Sequence, residues 1–339
     1  MELRPLDLLD DEQCARAYAI QVASRAVGRP WERPDSLEAT VLEWRHEDQA
    51  EPREMWAADD DGQLVGVATM WLPMQDNTDK VWVELDVDPD HRHRGVGTAL
   101  MGRMVERARE EKRTELVADA AVPAEATQEH SCYAFAKSVG FTVGSTEIAR
   151  HLDLPVADEL LDDLAAVARP YWLRRYLVEC HVDGVPEELQ ASLCSVSNQL
   201  AVDAPTGEVT YEEESLTPQR YREYLDVERA QGRHRLTTVG VDRRTGHVVA
   251  YTDLVLPSGA PTHAWQWGTL VHREHRGHRL GTAVKVENLR RLQQDHPERQ
   301  LVTTSNDETN SHMVEINARL GFRVVELMPS FHRILTPTT

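Results

Sequence analysis

A chain of 339 residues, 41% apolar and 28% charged, has the composition of a globular protein, and its length predicts about two domains. Thirty-seven basic residues stand against fifty-seven acidic ones, a net charge of −20, which argues against nucleic-acid and anionic-membrane partners because those are held by basic surfaces. No apolar run approaches the ~20 residues of a membrane span. The acidic start, MELRPLDLLDDEQC, does not read as a signal peptide. Cys14, Cys132, Cys180 and Cys194 form no C-x-x-C pair, so neither a metal site nor a disulfide framework is expected, and a reducing cytoplasm is the expected location.

In chain order, residues 10–28 read as a helix, and EMWAAD (54–59) and QLVGVATMWL (63–72) as strands joined by the turn DDDG. A third strand spans 81–87. The helix after it places Val96, Leu100, Met104 and Ala108 four apart, with Met101 and Val105 beside them, giving one apolar stripe. ELVAD, a helix over 129–139 and a strand over 142–152 complete the half. The connection, 154–170, is expected to be partly helical. The order then repeats: strands at 236–242, 248–256 and 264–271, a helix to 294, strand QLVTTS, a helix over 309–319 and strand FRVVEL. This predicts an α/β protein of two tandem domains, 1–153 and 171–339, each a mixed, mostly antiparallel sheet flanked by helices.

The repeat is sharpest at HRHRGVG (91–97) and HRGHRLG (275–281). Each follows a strand ending in valine and opens a helix. Helix N-termini present unpaired N–H groups and a partial positive charge, so such a loop is a candidate phosphate site. Gly95 and Gly97 allow close backbone approach, and the loop arginines and histidines add positive charge to an acidic protein. Each half also carries GF before its last strand, KSVGF and ARLGF.

On these residues the sequence resembles the GNAT superfamily of N-acetyltransferases. LDVDPDHRHRGVGTAL is similar to the family signature Q/R-x-x-G-x-G/A, filled by Arg92, Gly95 and Gly97. TLVHREHRGHRLGTAVK is similar too, with Arg279 where the middle glycine belongs. TTSNDETNSHMVEINARLGF resembles a family segment whose asparagines, here Asn306 and Asn310, approach the cofactor; as isolated residues both also suit a cap or turn. The resemblance implies acetyl-CoA as donor and no metal. It implies a pyrophosphate on the N–H groups of Arg92, His93, Arg94, Gly95, Val96, Gly97 and Thr98. In the second half the equivalents are Arg276, Gly277, His278, Leu280, Gly281 and Thr282. The pantetheine arm would lie along Leu85 and Val87, or along Thr269 and Val271, like an added strand.

Acetyl transfer to an amine needs a free base, and an alkylammonium of pKa near 10.4 is less than ~0.1% deprotonated at pH 7. A carboxylate general base answers this. In VWVELDVDP, Val81, Val83, Leu85 and Val87 share one face and Trp82, Glu84 and Asp86 the other. Glu84 holds the position the resemblance gives the base; an edge glutamate facing solvent is the alternative. At constant spacing its counterpart is Gly268, and Gln266 matches Trp82, which leaves His263 and Asp253 as substitutes. The tyrosine that serves as acid in many relatives is replaced by Ala136 and Asn317. Tyr133, one helical turn away, is the substitute acid, or else a packed aromatic. Cys132 has no histidine partner signalled for nucleophilic catalysis. Trp71, Trp82, Trp265 and Trp267 suit an acceptor pocket or the core.

The expected activity is acetyl-CoA-dependent N-acetylation of a small, cationic amine, by a monomer or homodimer. Alternatives are a CoA-binding protein with one or both halves non-catalytic, or an acyltransferase using another acyl-CoA or a hydroxyl acceptor.

Overall fold

The structure, a computed structural model, describes residues 1–127, 129–203 and 207–336. These fall into two compact units. The first contains residues 1–147, 207–210 and 326–336, and the second contains 148–203 and 211–325. In chain order the elements up to residue 153 are β1 (Glu2–Pro5), α1 (Asp11–Ala26), α2 (Leu37–Arg45), β2 (Arg53–Asp60), β3 (Gln63–Trp71), β4 (Lys80–Val87), α3 (Val96–Glu110), β5 (Glu115–Asp119), β6 (Val122–Pro123), α4 (Ser131–Ser138) and β7 (Thr142–Asp153). There follow α5 (Asp158–Trp172), β8 (Tyr176–Val182), α6 (Glu187–Ser197), α7 (Leu200–Asp203), α8 (Pro218–Ala230), β9 (His234–Asp242), β10 (Val248–Leu256), β11 (His263–Val271), α9 (Leu280–Asp295), β12 (Leu301–Asp307), α10 (Ser311–Leu320) and β13 (Arg323–Ile334).

In the first unit the strand order is β1-β2-β3-β4-β5-β13-β7. The β4–β5 pair is parallel, whereas β1–β2, β2–β3, β3–β4 and β5–β13 are antiparallel. The apolar stripe of α3 does what its spacing predicts: Val96, Leu100, Met101, Met104, Val105 and Ala108 are all buried, in one cluster with Val81, Val83 and Val87. α1 and α2 contribute Ala17, Ile20, Val41 and Trp44 to a second cluster with Met55, Ala57 and Val67.

In the second unit the order is β7-β12-β11-β10-β9-β8, with β11–β12 parallel and β8–β9, β9–β10 and β10–β11 antiparallel. α9 and α5 supply Val286, Leu289, Leu292 and Leu161 to a core with Leu236, Leu254 and Val302. α6 and α8 pack Leu189, Leu193 and Tyr221 against Val239 and Val241. Both units are therefore mixed, mostly antiparallel sheets flanked by helices.

The partition differs from the expected boundaries at both closing strands. Residues 148–153 of β7 belong to the second unit, where Leu152 is buried, and 326–334 of β13 belong to the first. There Phe331 and Leu335 are each 4% exposed, in the core that holds the α3 stripe. A strand joins the sheet whose apolar face it completes, and nearness in sequence does not decide which sheet that is.

Candidate active site

Both units open a gap in the sheet at the same place. β4 pairs with β5 over three residues only, Lys80↔Glu115, Val81↔Leu116 and Trp82↔Val117. Beyond Trp82, β4 keeps its partner β3 as far as Val87 while, among the described residues, its other edge has no strand partner. β11 and β12 likewise pair at His263↔Leu301, Ala264↔Val302 and Trp265↔Thr303 and then separate. Backbone groups along such an open edge suit an extended ligand arm, and Leu85 and Val87 lie along one such edge, Thr269 and Val271 along the other.

The gaps lead to the two heptapeptide loops, which have one backbone shape. In the first, a 3₁₀ turn (Pro89–His91) is followed by His93 at φ +61° and Gly95 at φ +84°, and α3 begins at Val96. In the second, a 3₁₀ turn (Arg273–His275) is followed by Gly277 at φ +81° and Arg279 at φ +53°, and α9 begins at Leu280. Both loops turn left-handed at their third and fifth residues, but the position occupied by glycine is exchanged. Arg279 adopts the conformation of the missing glycine, and its guanidinium lies 4.9 Å over the Tyr171 ring. Neither helix has a side-chain N-cap, so the N–H groups of Val96, Gly97 and Thr98, and of Leu280, Gly281 and Thr282, stay available to an anion. A coenzyme pyrophosphate fits either uncapped turn.

The loop arginines do something other than expected. Arg92 turns its side chain back to the Val87 carbonyl (3.4 Å) and to the Ser24 carbonyl and hydroxyl (3.0 Å each). Arg276 repeats this at the Val271 carbonyl (3.2 Å) and at Asp203 (2.7 Å), which also takes Arg273. These guanidinium groups tie the loop to its strand and preceding helix, leaving the anion-facing role to the backbone. Arg94 donates to the Asp90 carbonyl at 2.9 Å, and the His278 ring lies 5.4 Å from Tyr176. A Cβ on Gly97 would meet the Phe135 ring at 3.1 Å, and one on Gly281 would meet Ile316 at 3.4 Å. The approach to Phe135 is tight enough to favour glycine at 97, whereas the distance at Gly281 is an ordinary van der Waals contact.

Glu84 lies on the face of β4 opposite the valines, half-exposed. Its carboxylate takes a hydrogen bond from Arg25, in the last turn of α1, at 2.7 Å. The same guanidinium reaches buried Asp86 at 3.1 Å and 3.2 Å. Arg29, a turn further on, is gripped by Glu326 and Glu32, so two guanidinium groups face four carboxylates. Sequence reading did not find Arg25 or Glu326; a charged residue in a helix's last turn carries no sign of the strand it will reach. Tyr133 packs edge-on against Phe331, ring centroids 5.6 Å apart, and burial pushes its phenol up. Burial also pushes the Cys132 thiol up, against nearby Arg92 and Arg29, which disfavours a thiolate nucleophile.

The second unit departs from the first at this point. Thr252 pairs with Thr269 but Leu254 with Gln266, so Trp267 and Gly268 together oppose Asp253 in a β-bulge. The extra residue shifts the correspondence between halves: Trp265, not Gln266, stands where Trp82 does at the end of the parallel pairing. Gln266 is buried and donates to the Thr252 hydroxyl (2.9 Å) and the Asp253 carbonyl (2.6 Å), serving groups the bulge displaces. Gly268 is covered by the Tyr251 hydroxyl, 2.6 Å from where a Cβ would be. Asp253 is held by Arg235 (2.9 Å) and Thr237 (2.6 Å), and burial pushes its carboxyl up. His263 is buried against Thr303, 2.7 Å away. Asn310 caps α10 by accepting from Met313 N–H at 3.3 Å. Asn306 is buried and accepts from Arg150 and Asn317, each at 3.0 Å. Trp71, Trp82 and Trp265 are partly buried, and Trp267 is 45% exposed beneath Arg235.

This is the architecture of an acyl-CoA-dependent acyltransferase fold used twice. Residues 16–141 match the acetyltransferase (GNAT) family. The tandem GNAT protein from the clavulanic acid biosynthesis pathway is similar over 100% of this chain and 99% of its own, with 27% identity and a TM-score of 0.78. A GCN5-related N-acetyltransferase from Sphaerobacter thermophilus shares the fold over 100% and 96% of the two chains, at 16% identity and a TM-score of 0.64. No curated protein sequence matches the chain. Residues 16–141 thus match a GNAT acetyltransferase domain, and the whole chain is similar to a tandem, two-domain GNAT protein. Among the described residues, no helix is long and apolar enough to cross a membrane.

Proposed function

We propose that the protein is an acetyl-CoA-dependent N-acetyltransferase of a small cationic amine, with its chemistry in the first unit. The observation that carries this reading is the meeting of three features on one strand: the open edge of β4, the uncapped start of α3 and the half-exposed carboxylate of Glu84. The N–H groups of residues 92–98 hold the pyrophosphate, and the edge of Leu85 to Val87 orients the arm. Bound acetyl-CoA supplies an activated thioester to the acceptor nitrogen, and coenzyme A leaves as the thiol. Glu84 takes the ammonium proton, directly or through water, and Tyr133 is the candidate donor to the leaving sulfur. The four carboxylates around Arg25 and Arg29 leave a negative excess that favours a cationic acceptor.

The second unit reads as a binding domain. Its loop keeps the backbone shape, but the bulge puts Trp267 and Gly268 where Glu84 stands. The test is thiol release from acetyl-CoA with a panel of mono- and polyamines, for wild type and Glu84→Gln. The substitution keeps shape and removes basicity, so turnover falls by ~10²–10⁴ with acetyl-CoA affinity unchanged. Full turnover in the variant, or no thiol release with any amine, refutes the reading.

A further inference from the structure

Glu326 lies at the point where the C-terminal strand joins the first unit and is 5% exposed. Its two oxygens accept from Arg29 Nε at 2.7 Å and Nη2 at 3.0 Å, and Trp31 Nε1 donates to it at 2.8 Å. Arg29 then donates through Nη1 to the main-chain carbonyl of Arg25 at 3.1 Å. Arg25 carries the connection to Glu84 at 2.7 Å and anchors it to Asp86 at 3.1 Å. Three contacts, Glu326–Arg29, Arg29–Arg25 main chain and Arg25 side chain–Glu84, therefore connect the last strand to the candidate base through the length of the Arg25 side chain. Each of them has a charged partner, and charge-assisted bonds with bidentate forks fix orientation as well as distance.

We infer that Glu326 is a positioning residue for the acyl-transfer site, setting the direction of the Glu84 carboxylate through Arg29 and Arg25. The inference rests on the reading of Glu84 as the base. Arg25 is the only guanidinium bonded to Glu84 among the described residues, and its backbone is held by Arg29. Arg29 in turn is clamped in a two-bond fork by one carboxylate, Glu326, with Glu32 on its remaining side. The same strand brings Phe331 against Tyr133, the candidate acid. Residues more than two hundred positions beyond the cofactor loop thus configure both proton-transfer candidates of the first site.

The test uses the full-length protein with δ-¹³C-glutamate labelling, in which the Glu84 carboxyl resonance is assigned by its disappearance in Glu84→Gln. Glu326→Gln is isosteric but loses the anionic fork; Arg29→Lys keeps the charge, loses the fork, and serves if the first variant does not fold. The expected result is a displaced Glu84 resonance in either variant. Turnover with the most active panel amine should fall ~10–10²-fold, the usual worth of a small misplacement, with KM for acetyl-CoA unchanged. In a Glu84→Gln background neither change should lower turnover further. An unmoved resonance, or losses that multiply in full with Glu84→Gln, overturns the inference and reduces Glu326 to a fastener of the strand. Full turnover in Glu84→Gln alone refutes the base, and the resonance still decides whether Glu326 orients that side chain.

Discussion

Lys285 offers a quantitative test of how the two halves differ inside. It is 1% exposed in α9, its ammonium donating to Asn317 at 2.8 Å, with Met313 sulfur at 3.5 Å and the Phe322 ring at 5.7 Å. Among the described residues it has no carboxylate partner. The equivalent places in the first unit are held by Met101 and Ala136, both buried and apolar. Burial lowers the Lys285 pKa from 10.5 to about 7. The unfolded chain therefore binds one more proton than the native one between those values, and stability rises with pH across that window. Below pH 7 both states are charged and the native state carries the full penalty; above 10.5 both are neutral and it carries none. At about 1.4 kcal/mol per unit the whole span is worth ~5 kcal/mol, of which ~2–3 kcal/mol falls between pH 7 and 9. The perturbation is Lys285→Met with Asn317→Ala, which copies the first unit; Asn306 keeps its bond from Arg150. Urea-dependent amide exchange of α9 peptides reads the second unit by itself. At pH 7 the double variant should be the more stable, and its advantage should shrink by ~1.4 kcal/mol per unit toward pH 9. Parallel stability curves for the two proteins would refute the reasoning, because they would mean that Lys285 has the same proton affinity folded and unfolded.

Three further expectations follow from particular contacts. Gly97→Val drives its side chain into Phe135, 3.1 Å from the Cβ position, and should weaken acetyl-CoA binding at least ~10-fold by calorimetry, ~1.4 kcal/mol. Recovery of affinity by adding Phe135→Ala would show that the glycine serves packing alone. A chain ending at Val325 loses Phe331 and Leu335 from the first core, at ~2–5 kcal/mol each, which approaches the whole stability of a domain. It should lose acetyl-CoA binding and cooperative melting of the first unit, and retention of both would contradict the strand assignment. With a net charge of −20, capture of a cationic acceptor should slow as salt is raised, read as kcat/KM against ionic strength, whereas an anionic acceptor used equally well would count against the acidic cleft.

Sequence periodicity located the α3 stripe, the strand phase of Glu84 and both loops, because each depends on neighbours within one element. Other features depend on partners the local pattern does not name. Gly268, a glycine inside a strand, is a readable sign of a bulge, and counting at constant spacing past it misplaces Gln266 by one residue. YLVECHV (176–182) has the β-branched and aromatic content of a strand, yet it lies in a stretch, 171–235, to which the repeat assigns no element. FRVVEL reads as a closing strand, but β13 continues through Pro329 to Ile334, and no periodicity tells which sheet Phe331 will enter. The Arg25–Glu84 and Arg29–Glu326 pairs join residues 59 and 297 apart, and only the folded chain brings them together.

The two loops reach one backbone geometry with different residues, while the two halves differ in the titratable groups beside it. An anion site made of main-chain N–H groups needs a particular pair of left-handed turns and an uncapped helix, and many side chains allow that. His93 with Gly95, and Gly277 with Arg279, reach the same backbone by opposite choices, Arg279 accepting a left-handed conformation that costs a non-glycine residue ~1–2 kcal/mol and regaining part of it over Tyr171. Proton transfer has no such latitude, since it needs one titratable group at one place. A single inserted residue in β11 is enough to put Trp267 and Gly268 where β4 presents Glu84, and the buried Gln266 and Asp253 are already committed to hydrogen bonds within the protein. On the proposed reading, one bulge thus separates what the backbone offers an anion in both halves from what a carboxylate does in the first.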